Sequence, residues 1–422
     1  VRVQKNITWG KTMAQMDFEI EDGIEILDMD EQGDDEAPAS TGTVSPDEFF
    51  AKHAFRVVYQ TNNFLLPQLR DLVSKGEVLN LRPEYQRRLR WSNTQKSRLI
   101  ESLLLNIPIP PVFLYENDGA RYEVMDGQQR LNAIKEFQEG EFYLTGLDVL
   151  SPLNGLRYAK APPRIKRALD RASISAIVLL LESDSERSPD NEFTITDVRR
   201  FVFDRLNTGG TKLNAQEIRN AIYPGKFNKL VVDLARGHLF TEVFGIPPYI
   251  ESDPSDYYEN PSRQKNTLYA SMGDCQLVLR YFALRDEENI RGSMKAMLDR
   301  AMASRVNIAE EIAVELGAEF NKVLSAAVEI FGPKPFLLPA DDKGRRRISS
   351  ALYDASLVAV YRQLNELPKL LEQHKKIKKR LVKEFASGDR DGVLTGQGNT
   401  AKAVKERIAL LEKILREGAE LV

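Results

Sequence analysis

The chain has 422 residues, of which 42% are apolar and 29% charged, and a formal net charge of −3. That length exceeds one small core and points to two or three domains, while the charge excludes a globally basic nucleic-acid binder but leaves room for local patches. No apolar run nears the roughly 20 residues of a membrane span, the first residues lack a signal-peptide layout, and the single cysteine, Cys275, excludes a disulfide framework and points to a reducing cytoplasm.

Residues 1–45 read as an acidic tail. Acidic side chains dominate from Asp17 to Glu36, and the small-residue linker Ala37 to Thr43 follows. Such a composition buries too little apolar surface to offset ordering entropy, so mobility is expected. The alternation Met16-Asp17-Phe18-Glu19-Ile20 would suit an edge strand.

Residues 46–250 read as α/β. Ser92 with Gln95 makes a capping box that opens a helix with Leu99, Ile100, Leu103 and Leu104 on one face. Pro108, Pro110 and Pro111 end it. Val112 to Tyr115 and Tyr122 to Met125 form strands around the turn Asn117-Asp118-Gly119. After Asp126-Gly127 comes a helix with Leu131, Ile134 and Phe137 inward. A helix from Pro163 to Arg171 feeds a strand from Ile174 to Leu181, and a further helix from Thr196 presents Val198, Phe201, Val202 and Leu206 on one side. Residues 251–422 read as a helical domain. Leu367, Leu370, Leu371, His374, Ile377, Leu381 and Phe385 repeat at helical spacing, as do Val404, Ile408, Leu411 and Leu415. A glycine-rich stretch from Ser387 to Asn399 separates the two runs.

Three constellations carry chemistry. In the first, Tyr85, Gln86, Arg87 and Arg88 stand with Trp91 just ahead of a helix N-terminus. The guanidinium fork and the free N–H groups of a helix start both suit phosphate oxygens, although Tyr85 and Trp91 could equally serve the core. The second is Asp126-Gly127-Gln128-Gln129-Arg130, between a strand end and a helix start, the place where α/β folds collect anionic ligands. Asp126 could hold Mg²⁺ or orient a water, Gly127 admits a ligand close to the backbone, and Arg130 could counter phosphate charge. The third runs from Phe203 to Leu213 and contains Asn207, Thr208, Gly209 and Gly210. A second capping box, Asn214 with Glu217, and the staple pair Leu213 and Ile218 follow, so the glycines also have a purely structural explanation. The order of residues is not that of a phosphate-binding P-loop. A basic run near the C-terminus, including Arg345, Arg346, Arg347, Lys378 and Lys379, reads either as a solvated face or as a phosphate-contacting surface.

The succession of Tyr-Gln-Arg from Tyr85, Trp91-Ser92, the segment Leu99 to Pro111, Asp126 to Leu131 and Arg205 to Gly210 resembles domain of unknown function family 262. That family is the N-terminal domain of GmrSD-type modification-dependent restriction enzymes, and the resemblance covers residues 60–240. It implies a ParB/sulfiredoxin-like fold, a nucleoside triphosphate as ligand or substrate, and a role in anti-phage defence linked to sensing DNA. It further implies that Asp126, Gln128, Gln129 and Arg130 form the nucleotide-pocket motif, with Tyr85, Gln86 and Arg87 as its upstream partner. Asp126, Gln129 and Arg130 are then the expected catalytic residues, and from the residues themselves Gly127, Asn207, Thr208, Gly209 and Gly210 are expected to line the same pocket. The whole chain is thus expected to be α/β (α+β), with a ParB-like N-terminal domain followed by a mostly helical C-terminal region.

Restriction relatives usually add a His-Asn-His nuclease domain. Here the only histidines are His53, His238 and His374, and they are scattered, so that activity is not expected. Cys275 lies far from the motifs, which argues against sulfiredoxin chemistry. The expectation is a cytoplasmic NTP-binding and NTP-hydrolysing sensor or regulator. Its partners would be DNA and a separately encoded nuclease, or a second copy of itself through the C-terminal helices. Two alternatives stay open: a non-catalytic DNA- or partner-binding module, and a Mg²⁺-dependent nuclease.

Overall fold

The computed structural model describes residues 26–27, 57–74, 78–81, 91–117, 121–180, 199, 201–203, 205, 214–250, 260–340, 344, 346–386, 393–394 and 398–420. Tyr85, Gln86, Arg87, Arg88, Asn207, Thr208, Gly209, Gly210 and Arg345, the expected strand over 16–20 and the glycine-rich break over 387–392 lie outside the described residues.

The strands are β1 (Ile26–Leu27), β2 (Val58–Leu65), β3 (Leu79–Asn80), β4 (Val112–Asn117), β5 (Arg121–Asp126), β6 (Ser173–Leu180) and β7 (Ile348–Ser349). The main helices up to the middle of the chain are α1 (Leu66–Ser74), α2 (Asn93–Leu104), α3 (Gln128–Glu139), α4 (Pro163–Arg171), α5 (Ala215–Ile222), α6 (Lys226–Ala235) and α7 (His238–Phe244). After them come α8 (Gly273–Leu284), α9 (Met294–Ala303), α10 (Glu310–Phe331), α11 (Ser350–Arg362), α12 (His374–Ala386) and α13 (Ala401–Gly418). The expected mixed α/β class is thus found, with helices dominating the C-terminal region.

Two compact units emerge. The first contains the described residues within Gln32–Arg236 together with Tyr269–Asn321. Its sheet has the order β2-β6-β4-β5-β3. β6 runs antiparallel to β2 and parallel to β4, β4 and β5 form an antiparallel hairpin, and β3 lies parallel to β5. Alternation sorts the strands' side chains. Val112, Leu114, Val124, Ile174, Ala176 and Val178 share one buried cluster with Leu99, Ile100, Leu103, Leu131, Ile134 and Phe137 of α2 and α3. Both helices therefore cover the same face, as period-2 strands and period-3.6 helices require.

Local signals account for the helix positions. The Ser92–Gln95 capping box is formed, satisfying donors that the first turn of α2 would otherwise leave open. Lys96 of α2 pairs with Glu136 of α3 at 2.5 Å, both largely buried. Glu101, also on α2, accepts the backbone N–H groups of Asp148, Val149 and Leu150 at 3.2, 2.9 and 2.6 Å, fastening the loop after α3 to its side. Burial works against the charged carboxylate, but those three N–H groups and nearby Arg98 outweigh it and hold the Glu101 carboxyl below the usual glutamate value. The Asn214–Glu217 box opens α5 as anticipated. In the same unit α8 is buried along its whole length, and its Phe282 meets Phe227 of α6 edge-on at 5.4 Å.

One expected helix face is turned differently. Of residues 199–205, Phe203 is buried whereas Phe201 keeps 45% of its surface exposed, beneath the Arg205 guanidinium at 4.5 Å. Arg199 and Phe203 are one turn apart and define the inward side, so Phe201, two residues from each, faces away.

The second unit contains Ile26–Leu27 and the described residues within Gly237–Leu268 and Lys322–Val422. The apolar pair Ile26–Leu27, set within the acidic N-terminal stretch, runs parallel to Ile348–Ser349. Phe244 and Phe336 stack, and Tyr353 meets both edge-on, with centroids 4.9–5.8 Å apart. Against α11 lies α13, whose Arg407 is buried beside Asp354, with Nη1 3.8 Å from the carboxylate. Among the described residues no helix is long and apolar enough to cross a membrane.

Candidate functional site

The turn from β5 into α3 is made by Gly127, with φ +98° and no side chain to cap the helix. A Cβ there would stand 2.5 Å from Val112 Cγ1, so both the left-handed backbone and the close approach to β4 require glycine. The first intrahelical bond runs from Leu131 N to Gly127 O at 3.0 Å. The N–H groups of Gln128, Gln129 and Arg130 precede it and have no acceptor within the helix. They stand at the positive end of the helix dipole, where anions are favoured.

The side chains of this turn are occupied in holding other segments. Gln128 Nε2 donates to Leu81 O at 2.8 Å, just past β3. Gln129 Oε1 accepts from Trp91 N at 3.0 Å, just before α2. Leu81 and Trp91 are the described flanks of the segment that carries the first motif, and the two adjacent glutamines bind one flank each. Arg130 Nη1 donates to Pro110 O and, at 3.1 Å, to Pro111 O, while Nη2 pairs with Asp126 Oδ2 at 2.5 Å. Arg130 is thereby a latch between the strand end, the helix start and the Pro110-Pro111 bend, with only 12% of its side chain exposed. Asp126 keeps 49% of its side chain exposed and so presents a carboxylate to solvent at the mouth of the turn.

The flanks of the third motif are tied to the same strand. Arg199 Nη2 pairs with Glu123 of β5 and donates to Ala221 O of α5 at 3.2 Å, and its guanidinium lies 4.7 Å from the ring centre of Tyr115 on β4. Glu123 stands three residues before Asp126, about 10 Å along a strand. The helix ahead of the third motif and the helix after it are therefore fastened near the strand end that carries the second. Arg199, Glu123 and Tyr115 carried no signal in the sequence, since a lone Arg in a helical run usually faces solvent. Pro110 and Pro111 were legible as a helix stop, but not as acceptors for Arg130.

Among the described residues no three or more His, Cys, Asp or Glu side chains gather as a metal cage. The single half-exposed carboxylate of Asp126 fits a Mg²⁺ held mainly by phosphates and waters, the usual way Mg²⁺ is bound beside nucleotides. Of the basic candidates near the C-terminus, Arg346 and Arg347 are half-buried just ahead of β7. Lys378 is half-buried, its Nζ beside Gly332, while Lys379 is exposed. His374 Nδ1 lies 2.8 Å from Leu371 O.

Residues 69–224 match the family model described as GmrSD restriction endonuclease, N-terminal domain. The matched stretch is a little over a third of the chain. It runs from within α1 to just past α5 and contains all three motifs. This is a region of similarity to the GmrSD N-terminal domain, and it supports that part of the resemblance. No curated protein and no solved structure matches the chain.

Proposed function

We propose that the chain is a component of a restriction-type defence system whose β5–α3 turn binds a nucleoside triphosphate with Mg²⁺ and promotes its hydrolysis. The observation that carries this reading is the construction of the turn. A glycine with no side-chain cap opens α3 at the end of a strand, while Gln128, Gln129 and Arg130 spend their side chains on neighbouring backbone. That leaves the anion-favouring helix start as the ligand-facing part. The similarity of residues 69–224 to the GmrSD N-terminal domain supports a restriction context for this turn.

In this reading phosphate oxygens meet the first-turn N–H groups of α3. Asp126 would help to hold a Mg²⁺ accompanying the phosphates, or would orient the attacking water. Arg130, held on the Pro110 and Pro111 carbonyls, keeps Asp126 in place and is a positioning residue. Bound Mg²⁺ would supply charge neutralisation for the transferring phosphoryl group. Hydrolysis would then serve as a sensing or regulatory step acting on DNA, on a separately encoded nuclease, or on a second copy of the chain.

The test is release of inorganic phosphate by the purified chain from ATP, GTP and CTP with Mg²⁺. The wild type should turn over at least one of the three. Asp126→Asn, at a half-exposed position, should lower kcat by roughly 100-fold or more, as removal of a group aimed at the reacting phosphate does. Absence of both turnover and nucleotide binding in the wild type would overturn the proposal.

A further inference from the structure

The basic run in the C-terminal unit divides, in three dimensions, into two rows of different character. Ile377 and Leu381 of α12 are buried, and the chain ahead of this helix and the helix itself face α13. Arg362 pairs with Glu412 at 2.9 Å, Arg380 with Glu417 at 2.7 Å and Lys376 with Glu420 at 2.8 Å, while Lys369 Nζ donates to Glu420 O at 3.2 Å. The hydrogen bond and charge of Lys376, with Lys369 and Arg380 nearby, hold the Glu420 carboxyl below the usual glutamate value. One row, Lys376 and Arg380, is therefore answered by acids of the neighbouring segment.

The adjacent row is not. Lys375, Lys379 and Lys383 are exposed, stand at i, i+4 and i+8, and make no ion pair among the described residues. On an α-helix they form a nearly straight line about 12 Å long. Measured along the axis of a duplex, that length covers three to four phosphates of one strand, at about 3.4 Å per phosphate.

We infer that Lys375, Lys379 and Lys383 form a contact surface for a nucleic-acid backbone, read without regard to base sequence. Lysine supplies compact point charges and not the planar fork that reads base edges, so the row suits phosphates. A membrane surface fits less well. It would need an apolar face beside the cations, and none of the exposed large apolar side chains belongs to α12. With a net charge of −3, attraction of a polyanion has to come from such a local row and not from the molecule as a whole. The inference supplies a DNA-facing surface for the proposed defence role, but stands on its own residues and is tested apart from nucleotide chemistry.

The experiment is fluorescence anisotropy of the 422-residue chain on a labelled duplex of arbitrary sequence and on a scrambled version, across a salt series. The wild type should bind both duplexes alike. The triple variant Lys375→Ala/Lys379→Ala/Lys383→Ala should bind at least tenfold more weakly at low salt. Its log–log salt slope should be shallower by about 2–3, at roughly 0.9 for each phosphate that is no longer neutralised. Lys402→Ala/Lys413→Ala, which removes two lysines already paired within α13 to Glu406 and Glu417, should change the slope little. A wild type that ignores duplex DNA at low salt would overturn the inference. So would a triple variant with unchanged slope, a control that falls as far as the triple, or preferential binding of polyglutamate. Nucleotide-dependent phosphate release should be the same in the triple variant and the wild type, so failure of either reading is separately visible.

Discussion

Gln128 and Gln129, neighbours at the start of α3, bind the two flanks of a single segment: one donates to Leu81 O and the other accepts from Trp91 N. The polarity of the two bonds is opposite, and that gives them different tolerances. Gln129→Glu keeps an acceptor for the Trp91 N–H and adds a negative charge at a helix start, where it is favoured. Gln128→Glu removes the donor to Leu81 O and sets a carboxylate against a carbonyl. Gln128→Glu should lose about 1–3 kcal/mol, because the buried Leu81 carbonyl is left without its donor. Thermal or urea unfolding checks this, and a Gln128→Glu variant as stable as the wild type would show that the bond to Leu81 O contributes nothing.

Gly127 tests the turn itself. Gly127→Ala forces a side chain onto a backbone with φ +98° and into Val112 Cγ1. Left-handed strain and overpacking each cost about 1–3 kcal/mol. The variant should unfold well below wild type and lose any nucleotide-induced rise in melting temperature.

Glu101 sets a pH dependence. Its carboxyl is held below the usual glutamate value by three backbone N–H groups and Arg98 despite burial. A depressed folded-state pKa contributes stability above the unfolded-state value near 4.3, and that contribution fades as pH falls through the folded-state value. Glu101→Gln should therefore be less stable than wild type by about 1.5–3 kcal/mol at pH 7, with the gap narrowing below pH ~4. Unfolding midpoints at pH 7 and pH 3 check it; a gap that widens in acid would be contrary.

In the C-terminal unit, Arg407 and Asp354 are both buried, and Arg407 Nε also donates to Ala403 O at 3.2 Å. Arg407→Met alone should cost about 3–5 kcal/mol, because the Asp354 carboxylate loses its buried counter-charge. Adding Asp354→Leu should recover much of that loss. A double-mutant cycle by denaturant unfolding gives the coupling, and strictly additive losses would show that the pair is not energetically linked.

Much of the architecture was legible because its causes are local. Ser92 with Gln95 and Asn214 with Glu217 announce helix starts, Asn117-Asp118-Gly119 between two short apolar runs announces a hairpin, and Leu131, Ile134 and Phe137 mark the buried side of α3. Phe201 was misplaced because the inward side of its helix is set by a long-range pair, Arg199 with Glu123, that no periodicity contains. The second motif was legible as a strand-to-helix turn. That Arg130 would be spent on Pro110, Pro111 and Asp126 was not, since the two bends meet only in the folded chain. The C-terminal basic run showed its charge in sequence, but division into paired and unpaired rows needed the Glu412, Glu417 and Glu420 partners in space.

Calorimetric titration with Mg²⁺-bound, slowly hydrolysed NTP analogues tests most directly whether the β5–α3 turn is a nucleotide site. The wild type should bind one nucleotide per chain, and Gly127→Ala, checked under conditions where it stays folded, should show no binding heat. A wild type that binds none of the adenine, guanine or cytosine analogues, or a folded Gly127→Ala that binds as the wild type does, would contradict it.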